Sequence, residues 1–471
     1  MSSMSFSRRH FLGLAGASAA AAVLGACQPA APQVVKETVV VEKTGEPQVV
    51  KETVVVEKPG EQPLLFPQPV KVDVWCGWQP FRTDNMRAVL DRFKEENPNF
   101  DYELTMVVDD PKFLSAVAAG VPPDLYIEMD WHSVGKFAKD KTVLALDPFI
   151  DASKFDLKTQ LQVTVEQCRW IDGKLYGMAW GTDVQGLMWN KDLFQGTGVD
   201  PETPPKTWEE LFDMSAKLNK KQGQDLVQCG FIPDFGCCPD MYFWIKSFGG
   251  SPYSEDNRKL TINTPEAKRA MEYVKSYYDR DGADTLDRIR AGFGSDAQDG
   301  FYAGKVALAI EGEWTPAYAV ALDAALKNYG IASPPAPADK PELAGTAPVG
   351  GTVMVIPSAA KHPQESWKLF MFLVGPWATG VRMKDEKNIP TNVACLNDPR
   401  FTEDPDLSKF MAIAFGKNAF VPTLTPITTE LGDEMGRVQE LILHGKVGIE
   451  EGLAGIETKL QPLLDEGWKG V

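Results

Sequence analysis

From residue 68 onward, apolar and polar positions alternate, fall into helical stripes, and then alternate again. Val70, Val72 and Val74 share one face of the segment Lys71 to Cys76, the period-two pattern of a strand. The loop Gly77-Trp78-Gln79-Pro80-Phe81-Arg82 follows it. Met86, Val89, Leu90 and Phe93 then recur at helical spacing, with Thr83 or Asp84 as the cap and Pro98 as the stop. Tyr102 to Val108 reads as a second strand. Pro111 opens a helix carrying Phe113, Leu114, Val117 and Ala118, which Gly120 closes. Leu125 to Met129 reads as a third strand, with Asp130-Trp131-His132 at its end. Strands that alternate with helices predict an α/β fold with a mainly parallel sheet.

The pattern continues into the second half. Thr207 and Glu210 in PPKTWEEL have the spacing of a capping box at a helix start. Gly350-Gly351 precedes a strand-like run from Thr352 to Ile356, and KHPQESW opens an apolar helix. A chain of 471 residues is too long for one core and implies at least two domains.

The N-terminus departs from this pattern. Ser7 to Cys27 carries Arg8-Arg9, an uncharged apolar run and the closing Leu24-Gly25-Ala26-Cys27. Basic residues before a short apolar stretch closed by small residues make a cleavable export signal, and the paired arginines fit the twin-Arg type. The alternative is an uncleaved anchor helix, but the apolar run from Phe11 to Ala26 falls short of the roughly 20 residues a span needs. The closing tetrapeptide resembles a bacterial lipobox, which implies cleavage before Cys27 and acylation of that cysteine. Residues 28–63 contain VVKETVVVEK twice, separated by Gly, Pro and Glu punctuation. Two copies are too few for a solenoid, and two isolated strands are marginal in water. The segment is expected to be an extended spacer with a reach on the order of 120 Å; an integrated edge-strand pair is the alternative.

Charge narrows the partners. Lys and Arg number 48 against 65 Asp and Glu, a net charge of −17. Without Arg8 and Arg9 the balance is 46 against 65, or −19. Such a surface opposes nucleic-acid binding and attachment to anionic lipid by charge. Six cysteines remain besides Cys27: Cys76, Cys168, Cys229, Cys237, Cys238 and Cys395. An even number in an exported chain predicts disulfides, with a local bridge from Cys229 to Cys237 or Cys238. Metal at that cluster is the alternative, but the chain has only four His and none is near it. Neither a metal nor a cofactor is expected.

Several segments, each weak alone, stand in a telling order: AVAAGVPPDLY, DGKLYGMAW, LMWNKDLF, PPKTWEEL, NTPEAKRAMEYV, FYAGKVALAIEGEW, and GG followed by HPQESWKLFMFL. From about Pro69 to the C-terminus the chain resembles the family 1 extracellular solute-binding proteins of ABC importers, the maltose-binding-protein-like group. The resemblance implies two α/β lobes with a type II periplasmic-binding-protein-like fold, closing on a ligand between them. Crossings between lobes are expected near Thr182–Gly186, near Ala332–Pro337 and between about Asn388 and Pro426. Lobe 1 would hold residues 64–182 and 338–390, and lobe 2 residues 183–331 and 391–471. The sequence departs from the group at Ala179, where Pro is frequent, at Trp189, where Tyr is more usual, and in the Cys229–Cys238 insert.

Ligands of open α/β sheets sit beyond the carboxyl ends of the strands. That rule selects Trp78 and Arg82 after the first strand, and Asp130 and Trp131 after the third. The resemblance adds Asp183 at the first crossing and Trp314 in GEW as the ring that stacks on sugar. Gly350 and Gly351 admit close backbone approach. Trp180, Trp244, Glu311 and Arg382 complete the candidate set. Indole rings match the C–H faces of sugars, and carboxylates and guanidinium groups match their hydroxyls. Trp189, Trp208 and Trp367 are assigned to structure.

Motifs for Ser hydrolases, zinc proteases and P-loop or dinucleotide enzymes do not occur. The expectation is therefore a monomeric, non-enzymatic, lipid-anchored receptor outside the cytoplasmic membrane. It would capture a sugar or oligosaccharide and deliver it to ABC permease subunits. The alternatives are the same fold with glycerol phosphate, a polyamine or an iron chelate, a lipid-anchored glycoside hydrolase, or a purely structural lipoprotein.

Overall fold

The computed structural model describes residues 65–129, 131–223, 225–237 and 240–469. The leader, Cys27 and the repeated spacer lie outside the described residues, as do Asp130 and Cys238.

Twelve strands build two larger sheets and one hairpin among the described residues. In the first half they are β1 (Val70–Cys76), β2 (Phe100–Met106), β3 (Leu125–Met129), β4 (Met178–Ala179), β5 (Asp183–Asn190), β6 (Lys220–Gln222) and β7 (Asp225–Gln228). Then come β8 (Leu308–Gly312), β9 (Tyr329–Ala332), β10 (Ala347–Gly350), β11 (Val353–Val355) and β12 (Ala419–Phe420). The first sheet has the order β2-β1-β3-β11-β4. Its first three strands are parallel, and β11 runs antiparallel to both neighbours. The second sheet has the order β12-β10-β5-β8, with β9 also paired to β5. Strands β6 and β7 form the hairpin.

The lobe 1 helices follow the apolar stripe. Met86, Val89, Leu90 and Phe93 are the buried residues of the helix Thr83–Glu96. Neither predicted cap is used, because the turn Pro80–Arg82 runs directly into the helix and Thr83 is already helical. Strand β2 starts and stops two residues early, since Val107 has φ of 60° and cannot continue the ladder. Asp109 caps the next helix by accepting from the Lys112 N–H, and only Phe113 of its predicted stripe is buried.

Lobe 2 has one large core around the helix Pro265–Asp281. Trp208 and Trp244 lie 5.0 Å apart edge to face, with Phe243, Tyr273 and Tyr277 packed alongside. Thr207 accepts from the Glu210 N–H at 3.1 Å, and the Glu210 carboxylate reaches back one residue further than the usual box, to the Lys206 N–H at 2.7 Å.

The chain passes between sheets first at Gly181-Thr182, between β4 and β5. The second passage is at Gly351-Thr352, not at 332–337. Both β9 and β10 pair with β5, Val349 opposite Val184 and Gly350 opposite Asp183, so residues 333–346 stay with the second sheet. The third lies between Cys395 and Pro405: Asn392 bridges to Gln160, whereas the helix Pro405–Ala414 packs on β5.

The predicted local disulfide does not form. Cys76, Cys168, Cys229, Cys237 and Cys395 all carry thiols. Cys229 is fully buried, its Sγ lies 3.6 Å from the Phe231 carbonyl, and burial pushes its pKa up to about 12. Among the described residues no helix is long and apolar enough to cross a membrane, and no group of three or more His, Cys, Asp or Glu is placed to hold a metal ion.

Candidate functional site

The two passages at Gly181-Thr182 and Gly351-Thr352 lie against each other. A Cβ on Gly351 would stand 1.9 Å from the Gly181 carbonyl oxygen, so only glycine permits this approach. They form the floor beneath two neighbouring cavities, which share Asp183, Trp314 and Thr352.

The first cavity has a volume of 370 Å³. His132 comes to it from lobe 1, and Asp183, Gln185, Trp314, Gly350 and Gly351 line it beside the floor. Tyr242, Phe243, Phe420, Leu431 and Met435 give an apolar far wall, in which the Tyr242 and Phe420 rings stack at 6.0 Å. Tyr242 Oη accepts from the Thr423 N–H, and the Tyr253 and Thr425 hydroxyls pair at 2.9 Å, so the wall is pinned by hydrogen bonds. Gln185 is buried with Oε1 lacking a hydrogen-bond partner among the described residues.

The second cavity, of 230 Å³, has Trp78 and Arg82 on one side and Trp314 and Tyr318 on the other. The Arg82 guanidinium lies 4.6 Å from the Trp78 ring and 4.8 Å from that of Tyr318. Phe81 meets Tyr318 edge to face at 4.9 Å. These contacts join the first lobe to the helix Thr315–Ala321 of the second.

Trp314 is placed by its neighbour. A Cβ on Gly312 would fall 2.3 Å from the Trp314 ring, so the half-buried indole lies flat over the end of β8 and faces both cavities. Behind it Glu313 is fully buried. Asn388 Nδ2 donates to Glu313 Oε1 at 2.6 Å and to Asp183 Oδ1 at 3.1 Å, and the Val184 N–H donates to Glu313 Oε2. Burial first and the Asp183 charge second push the Glu313 pKa well up, and burial raises that of Asp183 as well.

The other sequence candidates lie elsewhere. Trp244 is wholly within the lobe 2 core, donating Nε1–H to the Pro233 carbonyl at 3.0 Å, and it lines neither cavity. Trp180 and Arg382 form a layer beneath the floor. The Arg382 guanidinium stacks 3.1 Å from the Trp180 ring, and Nη2 donates to the Trp180 carbonyl. Arg382 is 1% exposed and faces Glu386 at 3.6 Å. Glu311 points away from both cavities, its Oε2 accepting from the Thr315 hydroxyl. Trp131 opens a short turn after β3, and Asp130 lies outside the described residues. The sequence reading missed Gln185, Tyr242, Tyr318, Asn388, Phe420 and Thr423. Of these only Gln185 and Asn388 had a signal, their nearness to the crossings.

Two α/β lobes joined by three chain passages, with cavities bounded by both, define the two-lobed class of solute-binding proteins. The chain belongs to the bacterial extracellular solute-binding protein family, whose profile matches residues 88–409. It is 29% identical over 316 residues to an ABC transporter-binding protein of Deinococcus radiodurans, covering 63% of this chain and 71% of that one. The sn-glycerol-3-phosphate-binding periplasmic protein UgpB of Escherichia coli K12 is 27% identical over 191 residues, 38% of this chain and 40% of its own. Among solved structures the mannotriose-bound protein CpMnBP1 superposes with a TM-score of 0.74 at 26% identity, covering 83% of this chain and 99% of that one.

Proposed function

We propose that the protein is the receptor of an ABC importer and that its solute is an oligosaccharide, held between Trp314, Asp183 and Gln185. The observation that carries this reading is the 370 Å³ cavity, which has aromatic walls, the polar residues Asp183 and Gln185, and neither Lys nor Arg among its described lining residues. A neutral ligand with apolar faces and many hydroxyls matches that lining. The likeness to a mannotriose-bound structure supports the same class. The ligand draws the lobes together because it touches both, and Phe81 and Arg82 against Tyr318 add to the closed state. Family membership and the likeness to an ABC transporter-binding protein support delivery to a permease. Export by the twin-Arg leader and anchoring through an acylated Cys27 complete the proposal.

Glycerol phosphate is the second reading, favoured by the partial likeness to UgpB and by Arg82 in the smaller cavity. Against it, Arg82 is held between two rings and faces Glu386 at 3.9 Å, and His132 is the sole cation candidate lining the larger cavity. Glycoside hydrolysis requires two carboxyl groups on opposite sides of the sugar. Asp183 and Glu313 instead sit together, bridged by Asn388, and Asp240, the other carboxylate lining the cavity, is engaged as the cap of the helix Met241–Ser247.

The test is calorimetric titration with mannobiose, mannotriose, maltotriose and glycerol 3-phosphate. An oligosaccharide is expected to bind and be recovered intact, and Trp314→Ala is expected to weaken it by roughly ten- to a hundredfold. Binding of glycerol phosphate alone would replace the ligand but not the family. Recovery of cleaved sugar would overturn the receptor reading.

A further inference from the structure

We infer that Asn388 is a positioning residue: carried by lobe 1, it holds the Asp183 carboxyl group of lobe 2 in the orientation that receives the solute. The inference rests on the oligosaccharide reading above, in which Asp183 touches the sugar. Asn388 follows the helix Pro376–Glu386, which packs on the lobe 1 helix Thr83–Glu96. Lys387 ends that helix in the left-handed region, with φ of 59°, and the Asn388 N–H donates to the Met383 carbonyl at 3.1 Å. The following residue is knitted to the first passage, where the Thr182 N–H donates to the Ile389 carbonyl at 3.0 Å. Asn388 is thereby set beside Gly181 at 5% exposure; a Cβ on Gly181 would stand 3.7 Å from that of Asn388.

From that place its amide makes two bonds across the lobes. Nδ2 donates to Asp183 Oδ1 at 3.1 Å and to Glu313 Oε1 at 2.6 Å. A reversed amide would turn Oδ1 on two acid groups, so these partners fix which way it faces. The two acceptors differ in what they face. Asp183 lines both cavities, whereas Glu313 is fully buried, lines neither, and has its Oε2 held by the Val184 N–H at 2.9 Å. One nitrogen thus ties the carboxyl group that borders the cavities to one that is locked into lobe 2. Asp183 is the first residue of β5, next to the passage, and an untied side chain there samples several rotamers. Fixing it before the solute arrives removes an ordering cost from binding, which is how a supporting residue raises affinity without touching the ligand. A bond this close to the passage is also displaced little when the lobes swing about it.

A double-mutant cycle tests the inference, with calorimetric titration of the mature protein by mannotriose and by maltotriose and a melting temperature for each variant. Asp183→Asn alone should weaken the trisaccharide that binds. Asn388→Ala should weaken it roughly tenfold in the wild-type background and add nothing in the Asp183→Asn background. Asn388→Asp keeps the shape without the amide donor and should behave as the alanine variant does, so the cycle stands if one of the two does not fold. An unchanged Kd with a lowered melting temperature would make Asn388 structural only. An equal loss of affinity in both backgrounds would show that it does not act through Asp183. Either result would overturn the inference and leave the receptor reading standing. Failure of both sugars to bind the wild type, or a wild-type Kd in Asp183→Asn, would overturn the ligand reading itself and this inference with it.

Discussion

Glu311 should make the protein less stable as pH rises. It sits on β8 at 6% exposure, and its hydrogen-bond donor is the Thr315 hydroxyl at 3.3 Å. Burial first, and the Asp299 charge second, push its pKa from 4.5 up to about 8. The native carboxyl therefore keeps a proton that the unfolded chain releases above 4.5. The native state binds more protons throughout that interval, so its stability is full below 4.5 and is lost progressively until about pH 8. At about 1.4 kcal/mol per pH unit the interval gives a ceiling of about 5 kcal/mol. The portion between pH 5 and pH 8 is about 3 kcal/mol. Glu313 adds a slope of the same sign, so wild type alone cannot isolate the effect. Glu311→Gln mimics the protonated form and removes only the Glu311 contribution. Urea unfolding followed by tryptophan fluorescence at pH 5, 6.5 and 8 should show the variant near wild-type stability at pH 5 and about 3 kcal/mol above it at pH 8. Equal displacement of the two proteins at both pH values would refute the reasoning.

Gly351→Ala should cost about 2–4 kcal/mol, because the Cβ would meet a backbone carbonyl that no rotamer change can move; an unchanged thermal midpoint would contradict the close approach. Trp244→Phe removes a buried indole hydrogen bond and some core volume, so a loss of about 2 kcal/mol with unchanged ligand Kd is expected. A weakened Kd at wild-type stability would return Trp244 to the cleft. Cys229 and Cys237 should be alkylated after denaturation without any reductant, and dithiothreitol should leave Tm unchanged. A lower Tm on reduction would restore the bridge.

What could be seen in the sequence was what is local. The stripe Met86, Val89, Leu90 and Phe93 repeats with the helical period and is buried as a unit. The passage between sheets at Gly351-Thr352 depends on Val349 pairing with Val184, residues distant in sequence, and no local period carries that information. Indole placement failed for the same reason. An apolar ring satisfies a core as well as a cleft, so the pattern around Trp244 and Trp314 reads alike until Gly312 and the cavity distinguish them. The far wall was invisible because Phe420 ends the two-residue strand β12, too short to show a period, and Thr423 follows in an irregular stretch held by a hydrogen bond to Tyr242. Asp183 and Trp314, which line both cavities, came from the order of motifs and not from periodicity.

The charges beneath the cleft bear on the ligand more directly than any one side chain does. Arg82 and Arg382 both face Glu386, at 3.9 and 3.6 Å, and Trp78 and Trp180 cover their π-facing sides. Asp183 supplies the second carboxylate. Glu313 stands beside it, and burial pushes the pKa of both acids up, which favours their neutral forms. Both guanidinium groups of the floor are therefore engaged with Glu386 and with indole rings. Such a floor can orient hydroxyl groups through Asp183, which lines both cavities. A phosphate ester would bring an anion to a cavity whose walls carry no Lys or Arg, and it would have to pull Arg82 away from Trp78 and Tyr318 to be neutralised. The engaged guanidinium groups therefore favour a neutral polyhydroxyl ligand independently of any likeness to other proteins.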